Sequence, residues 1–138
     1  MPQALTRLSQ ATRGQGFYEM TRPIAEWVAE QAPAIGLLTV FCRHTSASLV
    51  IQENADPTVR EDLKSFLTAL APEDRRYVHA DEGPDDMPAH IRSMVTGTSL
   101  TIPVERGRML LGTWQGIYLA EHRRSPHRRE VVLHLLKD

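Results

Sequence analysis

The sequence predicts an α+β fold, built as a single domain over residues 1–138 with a mixed, largely antiparallel sheet, two main helices and one short helix. Three observations predict it. The last third of the chain reads as strands separated by turns, while two helical periodicities interrupt the strand-like runs before it. At 138 residues with 41% hydrophobic and 24% charged side chains, the chain suits one soluble core. No repeat, low-complexity tract or long linker offers a second domain.

Residues 4–11 alternate weakly and predict an edge strand before the turn at Gly14-Gln15-Gly16. Thr21 is a cap candidate for a helix whose apolar side, Ile24, Trp27 and Val28, ends at Pro33 and Gly36. Gly36 to Phe41 and Leu49-Val50-Ile51 are short apolar runs suited to buried strands. Asp56-Pro57 reads as an N-cap followed by a first-turn proline, with Val59, Leu63, Phe66, Leu67 and Leu70 forming one stripe behind it. Asp86-Met87-Pro88 offers a second start of this kind, for a short helix that ends at Gly97 and fixes the direction of His90. Strands are then expected over 99–104, 109–119 and 130–136.

A net charge of −1 gives no global pull towards nucleic acid, and no apolar run is long enough for a signal peptide or a membrane span. The lone Cys42 rules out an intramolecular disulfide and cysteine-based zinc motifs, and it fits a reducing cytoplasm.

The chemistry concentrates in residues 79–90, His-Ala-Asp-Glu-Gly-Pro-Asp-Asp-Met-Pro-Ala-His, where four carboxylates and two imidazoles share twelve residues with turn-forming Gly83 and Pro84. Such groups bind divalent metals or move protons near neutral pH, though a solvated acidic loop has the same composition. Cys42, His44 and Ser46 share one face if the preceding strand continues through them. A core histidine beside turn-closing hydroxyls is the plainer account. Glu53, Asn54 and Asp56 lie at a helix N-terminus, where Asn54 and Asp56 serve as caps and Glu53 is left as a candidate acid, base or ligand. Gly112 and Gly116 flank Thr113-Trp114-Gln115 and mark a bulge or a close backbone approach. Residues 121–129 carry four arginines, suited to phosphate or carboxylate, or simply to a solvated turn. With no basic stripe or aromatic platform elsewhere, they make a poor nucleic-acid footprint.

Five motifs occur in order: His44 to Leu49, Glu53 to Arg60, Gly83 to Ile91, Gly112 to Ile117, and Glu121-His122-Arg123. Together they resemble the YjbQ-like family of small bacterial and archaeal proteins over nearly the whole chain. The resemblance implies an α+β homotrimer with pockets near the subunit boundaries, and a link to thiamine phosphate synthesis, since the family is often described as a secondary thiamine-phosphate synthase. It implies that His44, His79 and His90 form a metal site for a divalent ion, zinc or magnesium. Glu53 and Asp86 are then the acid/base candidates, and Arg123, Thr45, Ser46, Asn54 and Gln115 the substrate-binding ones. Asp86 also competes as a helix cap. Cys42, His122 and His127 receive no role. The expected partner is a small phosphorylated metabolite, acted on with pyrophosphate release, hydrolysed, or bound without turnover.

Overall fold

Eight strands and three helices follow one another in the computed structural model, which describes residues 2–138: β1 (Gln3–Thr12), β2 (Gly16–Glu19), α1 (Thr21–Gln31), β3 (Ile35–Cys42), β4 (Ala47–Glu53), α2 (Pro57–Leu70), α3 (Asp86–Thr96), β5 (Ser99–Glu105), β6 (Arg108–Met109), β7 (Gln115–Glu121) and β8 (His127–Lys137). The α+β expectation holds. In place of one mixed sheet there are two, ordered β1-β8-β3-β5-β6 and β2-β7-β4, and every ladder is antiparallel.

The expected strand over 109–119 is two strands. Met109 pairs with Val104 in the larger sheet, whereas Gln115 pairs with Glu53 in the smaller one, so the chain changes sheets across 110–114. Alternation in sequence is blind to such a switch, because each half keeps its own period. Gly116 marks the close approach: a Cβ there would lie 2.8 Å from Glu19 Oε2 and 3.0 Å from Asn54 Cβ.

One apolar core draws on both sheets and α1. It contains Leu38 and Val40 of β3, Ile117 and Leu119 of β7, Val131, Leu133 and Leu135 of β8, and Ile24 and Val28 of α1. The i, i+4 pair on α1 and the period of two in β3 and β8 deliver those side chains to the same interior. α1 closes with Ala32 in the left-handed region (φ 46°), its N–H donating to Ala29 O, just before Pro33. Thr21 is the first helical residue and not the cap: its Oγ1 donates to Glu19 Oε2 and accepts from the Ile117 N–H.

α2 begins as expected, with Asp56 accepting from the Thr58 N–H at 2.9 Å and Pro57 in the first turn. Its apolar stripe is not buried. Leu63, Phe66, Leu67 and Leu70 face a groove shared with Leu49 and Ile51 of β4, and Phe66 remains 63% exposed. Among the described residues no helix is long and apolar enough to cross a membrane.

Leu38→Ala, at a fully buried site, should cost roughly 2–5 kcal/mol in urea unfolding. Phe66→Ala should cost no more than about 1 kcal/mol. Equal losses would contradict this placement of the core.

Candidate metal site

Between Ala71 and Asp85 the chain forms neither helix nor strand. Its turn relies on Gly83, whose φ of 99° is open to glycine and strained for other residues, and the Gly83 carbonyl accepts from the Asp86 N–H at 3.3 Å. α3 starts directly after it. Asp85 occupies the N-cap position without capping through its side chain, and Asp86 is the first helical residue.

Asp86 is the hub. Its side chain is buried, and Oδ1 accepts from Arg123 Nη1 at 2.8 Å. Oδ2 lies 2.7 Å from His79 Nε2 and 3.2 Å from His90 Nε2, one turn along α3. The ligand atoms of His79, Asp86 and His90 all lie within 4.8 Å of one another. Glu82 Oε2 adds a second carboxylate oxygen 3.1 Å from His79 Nε2.

The proton positions follow from the partners. His90 Nδ1 faces the Thr45 carbonyl at 3.1 Å, so it must carry a hydrogen and donate it. In the neutral ring, Nε2 then presents its lone pair towards Asp86 Oδ2. Two lone pairs at 3.2 Å are unfavourable unless a proton or a cation lies between them. Burial pushes the Asp86 carboxyl up, but the hydrogen bond from His79 and the charges of His90 and Arg123 outweigh it and hold the group below its usual range. His79 is raised, chiefly by its hydrogen bond to Asp86 and despite some desolvation. Asp85 is likewise lowered against its burial by Arg123 and by the Arg124 N–H.

The structure joins some of the sequence-predicted residues and separates others. His44 does not join His79 and His90. The strand stops at Cys42, and the His44 ring turns to accept from the Glu130 N–H on Nε2 at 2.8 Å. A neutral imidazole has one lone pair, so His44 cannot keep that bond and also ligate a metal. Asp86 takes its place among the ligand atoms and does not act as a helix cap. Arg123 is bound internally: Nε donates to Asp85 Oδ2 at 2.9 Å, Nη1 to Asp86 and Nη2 to the Glu82 carbonyl at 3.0 Å. Thr45 contributes its carbonyl, and Ser46 Oγ accepts from Arg129 Nη2 at 3.0 Å.

Glu53, Asn54 and Gln115 belong elsewhere. Glu53 pairs with Gln115 at one end of the β4–β7 ladder, and Ala47 pairs with Glu121 at the other. Six residue steps separate those ends by roughly 20 Å. The candidate ligands touch Thr45 and Arg123, which adjoin the Ala47–Glu121 end. Glu53 Oε2 instead accepts from the Asp56 N–H at 3.0 Å, and Gln115 Oε1 accepts from the Gly112 N–H at 2.8 Å.

Two buried polar groupings were not identified in sequence. Arg129 and Glu121 form a pair, Nε to Oε1 at 2.8 Å and Nη2 to Oε2 at 2.5 Å, completed by Thr12 Oγ1 at 2.6 Å. The only sequence signal is the period of two in β8, which turns Arg129 inward with Val131 and Leu133. Ser48 Oγ lies 2.8 Å from His122 Nε2 and within 2.6 Å of Thr96 Oγ1. Burial, reinforced by the charge of Arg92, lowers His122 to about 4.

Fold and site together define a small α+β protein that gathers two imidazoles on one buried carboxylate. The chain belongs to the YjbQ family: the family model, described as UPF0047 protein YjbQ-like, matches residues 6–138. The chain is 56% identical over 126 residues to UPF0047 protein sll1880 of Synechocystis, covering 91% of this chain and 86% of that protein. It is 44% identical to YjbQ of Escherichia coli O157:H7, covering 91% of each. Among solved structures, the conserved hypothetical protein TT1486 of Thermus thermophilus superposes with a TM-score of 0.85 at 39% identity, covering 95% of this chain and 99% of that one. A protein of Sulfolobus solfataricus described as YbjQ-like, at 19% identity and a TM-score of 0.88, shares the fold over 99% of this chain and all of its own.

His122 sets an acid-stability signature. Its unfolded pKa is near 6.5 and its folded pKa near 4, so between these values the unfolded chain binds the extra proton and stability falls as pH falls. Between pH 7 and pH 5 this group costs wild type on the order of 2 kcal/mol. His122→Gln should be less stable at pH 7 but lose correspondingly less on acidification. Parallel losses in urea titrations at the two pH values would contradict the assignment.

Proposed function

We propose that His79, Asp86 and His90 hold a divalent transition metal, and that the protein is a metal-assisted enzyme acting on a small phosphorylated metabolite. The observation that carries this is the orientation of His90. Its Nδ1–H donates to a backbone carbonyl while Nε2 faces the carboxylate oxygen that His79 also faces. Ligating histidines are typically held in this way, with the far nitrogen fixed by an outer partner. Asp86 has the matching arrangement, one oxygen held by Arg123 and the other turned to the imidazoles.

The donor set fits zinc or a similar ion better than magnesium, which takes oxygen ligands in an octahedral shell. When bound, such an ion supplies Lewis acidity towards a substrate oxygen. Arg123 is one of the groups that hold Asp86 ionised, after His79 and His90, and the Thr45 carbonyl keeps the His90 tautomer. Glu82, exposed beside His79, is the acid/base candidate nearest these groups. That role passes to it from Glu53, which lies at the far end of β4.

The family resemblance suggests thiamine-phosphate-type coupling, and the side chains favour instead hydrolysis of a phosphate ester. A departing pyrophosphate needs more positive charge than a monoester does. The nearby arginines are already engaged, Arg123 by Asp85 and Asp86, and Arg124 by Glu73. A reducing cytoplasm suits the single free thiol of Cys42.

The homotrimer belongs to the same proposal. The outward side of β3 carries Ile35, Leu37 and Phe41, of which Ile35 is 68% exposed, and Leu5 of β1 is also exposed. An apolar patch on a central strand favours association. Sedimentation should give three chains for wild type and a smaller species for Leu37→Lys. A monomeric wild type would contradict this part.

Wild type should bind one Co2+ or Zn2+ per chain. His90→Ala and Asp86→Ala should weaken binding by about 100-fold or more, and Glu53→Ala should leave it unchanged. The metal-loaded protein should hydrolyse a phosphate ester in a His90-dependent manner. Stoichiometric binding without turnover would favour a metabolite-binding protein, and the same trace rate in wild type and His90→Ala would remove the enzyme reading.

A further inference from the structure

The loop 43–46 joins the candidate ligands to the buried Glu121–Arg129 pair. On one side, the Thr45 carbonyl accepts from His90 Nδ1. On the other, Arg129 Nη2 donates to Ser46 Oγ at 3.0 Å and approaches Ser46 O at 3.3 Å, while the His122 N–H also donates to Ser46 O at 3.3 Å. One residue earlier, His44 is held on the Glu130 N–H. The residues before and after Thr45 are therefore both tethered to β8, which leaves its carbonyl little freedom.

We infer that the Glu121–Arg129 pair is the positioning device of the His79–Asp86–His90 group: by holding Ser46 it fixes the Thr45 carbonyl, which in turn selects the His90 tautomer. A buried ion pair contributes little net stability relative to apolar residues of the same size, so stability alone is a poor reason for one here. Its geometry supplies another. Arg129 bonds both oxygens of Glu121 through Nε and Nη2, and the same Nη2 reaches Ser46. The planar guanidinium sets the distance between β7, β8 and the loop, which a flexible ammonium does not reproduce. Arg129 and Glu121 touch none of the candidate ligands, so they are positioning residues.

The inference rests on the metal-site proposal for its use, but its first readout needs no metal. In 15N-labelled protein without added metal at pH 8, long-range 1H–15N correlations report which His90 nitrogen carries the proton. Wild type should show a proton on Nδ1, with or without a second one on Nε2. Glu121→Leu/Arg129→Met removes both charges together, and Arg129→Lys keeps the charge without the fork. Each should give a mixture of tautomers, and Co2+ affinity should fall by about 10- to 100-fold in the double variant and less in Arg129→Lys. Thermal melts in parallel report whether each variant folds, and Arg129→Lys carries the test where the double variant does not. An unchanged tautomer in a folded variant would overturn the inference. A wild type that binds no Co2+, with the tautomer still shifting in the variants, would remove the metal proposal and leave the positioning intact.

Discussion

The buried carboxylate of Asp86 imposes the constraint on which the candidate site depends. An ionised carboxylate with 5% of its side chain exposed needs compensation on both oxygens, and Arg123 and the two imidazoles provide it. The charge-assisted bond from Arg123 to Oδ1 contributes about 1.5–3 kcal/mol. Loss of Arg123 alone would leave Asp86 Oδ1 without its donor, at a cost of about 1–3 kcal/mol. This requirement ties the β7–β8 connection to the 79–85 turn and to the start of α3, three segments with no backbone ladder between them.

A second buried charge system lies beneath the loop that faces this one. Glu121 is held below its usual range: burial pushes it up, and Arg129, Thr12 and the Arg123 N–H outweigh that. Residues 121 and 123, two positions apart, thus serve both systems, Glu121 inward to Arg129 and Arg123 outward to Asp85 and Asp86. The period of two along an extended chain would put them on one side, but β7 ends at Glu121 and the turn redirects Arg123.

Local chemistry made most of the fold legible. Asp56-Pro57 announced α2 because a cap and a first-turn proline act within one turn, and the stripe on α1 marks an interior face directly, but the apolar run of β3 is buried on one side only: Leu38 and Val40 point inward, and Leu37 and Phe41 stay exposed. The switch between sheets at 110–114 was not legible, since pairing is a long-range property. At the site, His79 and His90 were legible as the two ends of one short segment. His44 entered through family resemblance, and its ring is instead taken by the Glu130 N–H from a strand 86 residues away. Asp86 read as a cap because aspartate before a helical proline usually is one; only the tertiary approach of Arg123 redirects its carboxylate. The arginine-rich stretch 121–129 read as a phosphate or carboxylate trap or a solvated turn, because Arg123 is engaged by Asp85 from a distant segment and Arg129 meets Glu121 only once β7 and β8 turn both inward.

The central claim is that His79, Asp86 and His90 form a metal site without His44. Its most direct test is the anomalous X-ray signal at the zinc edge from crystals of the protein as purified or soaked with zinc. The expected result is one peak per chain within bonding distance of His79 Nε2, Asp86 Oδ2 and His90 Nε2, with His44 still bound to the Glu130 N–H. A peak bonded to His44, or none near Asp86 after soaking, would contradict it.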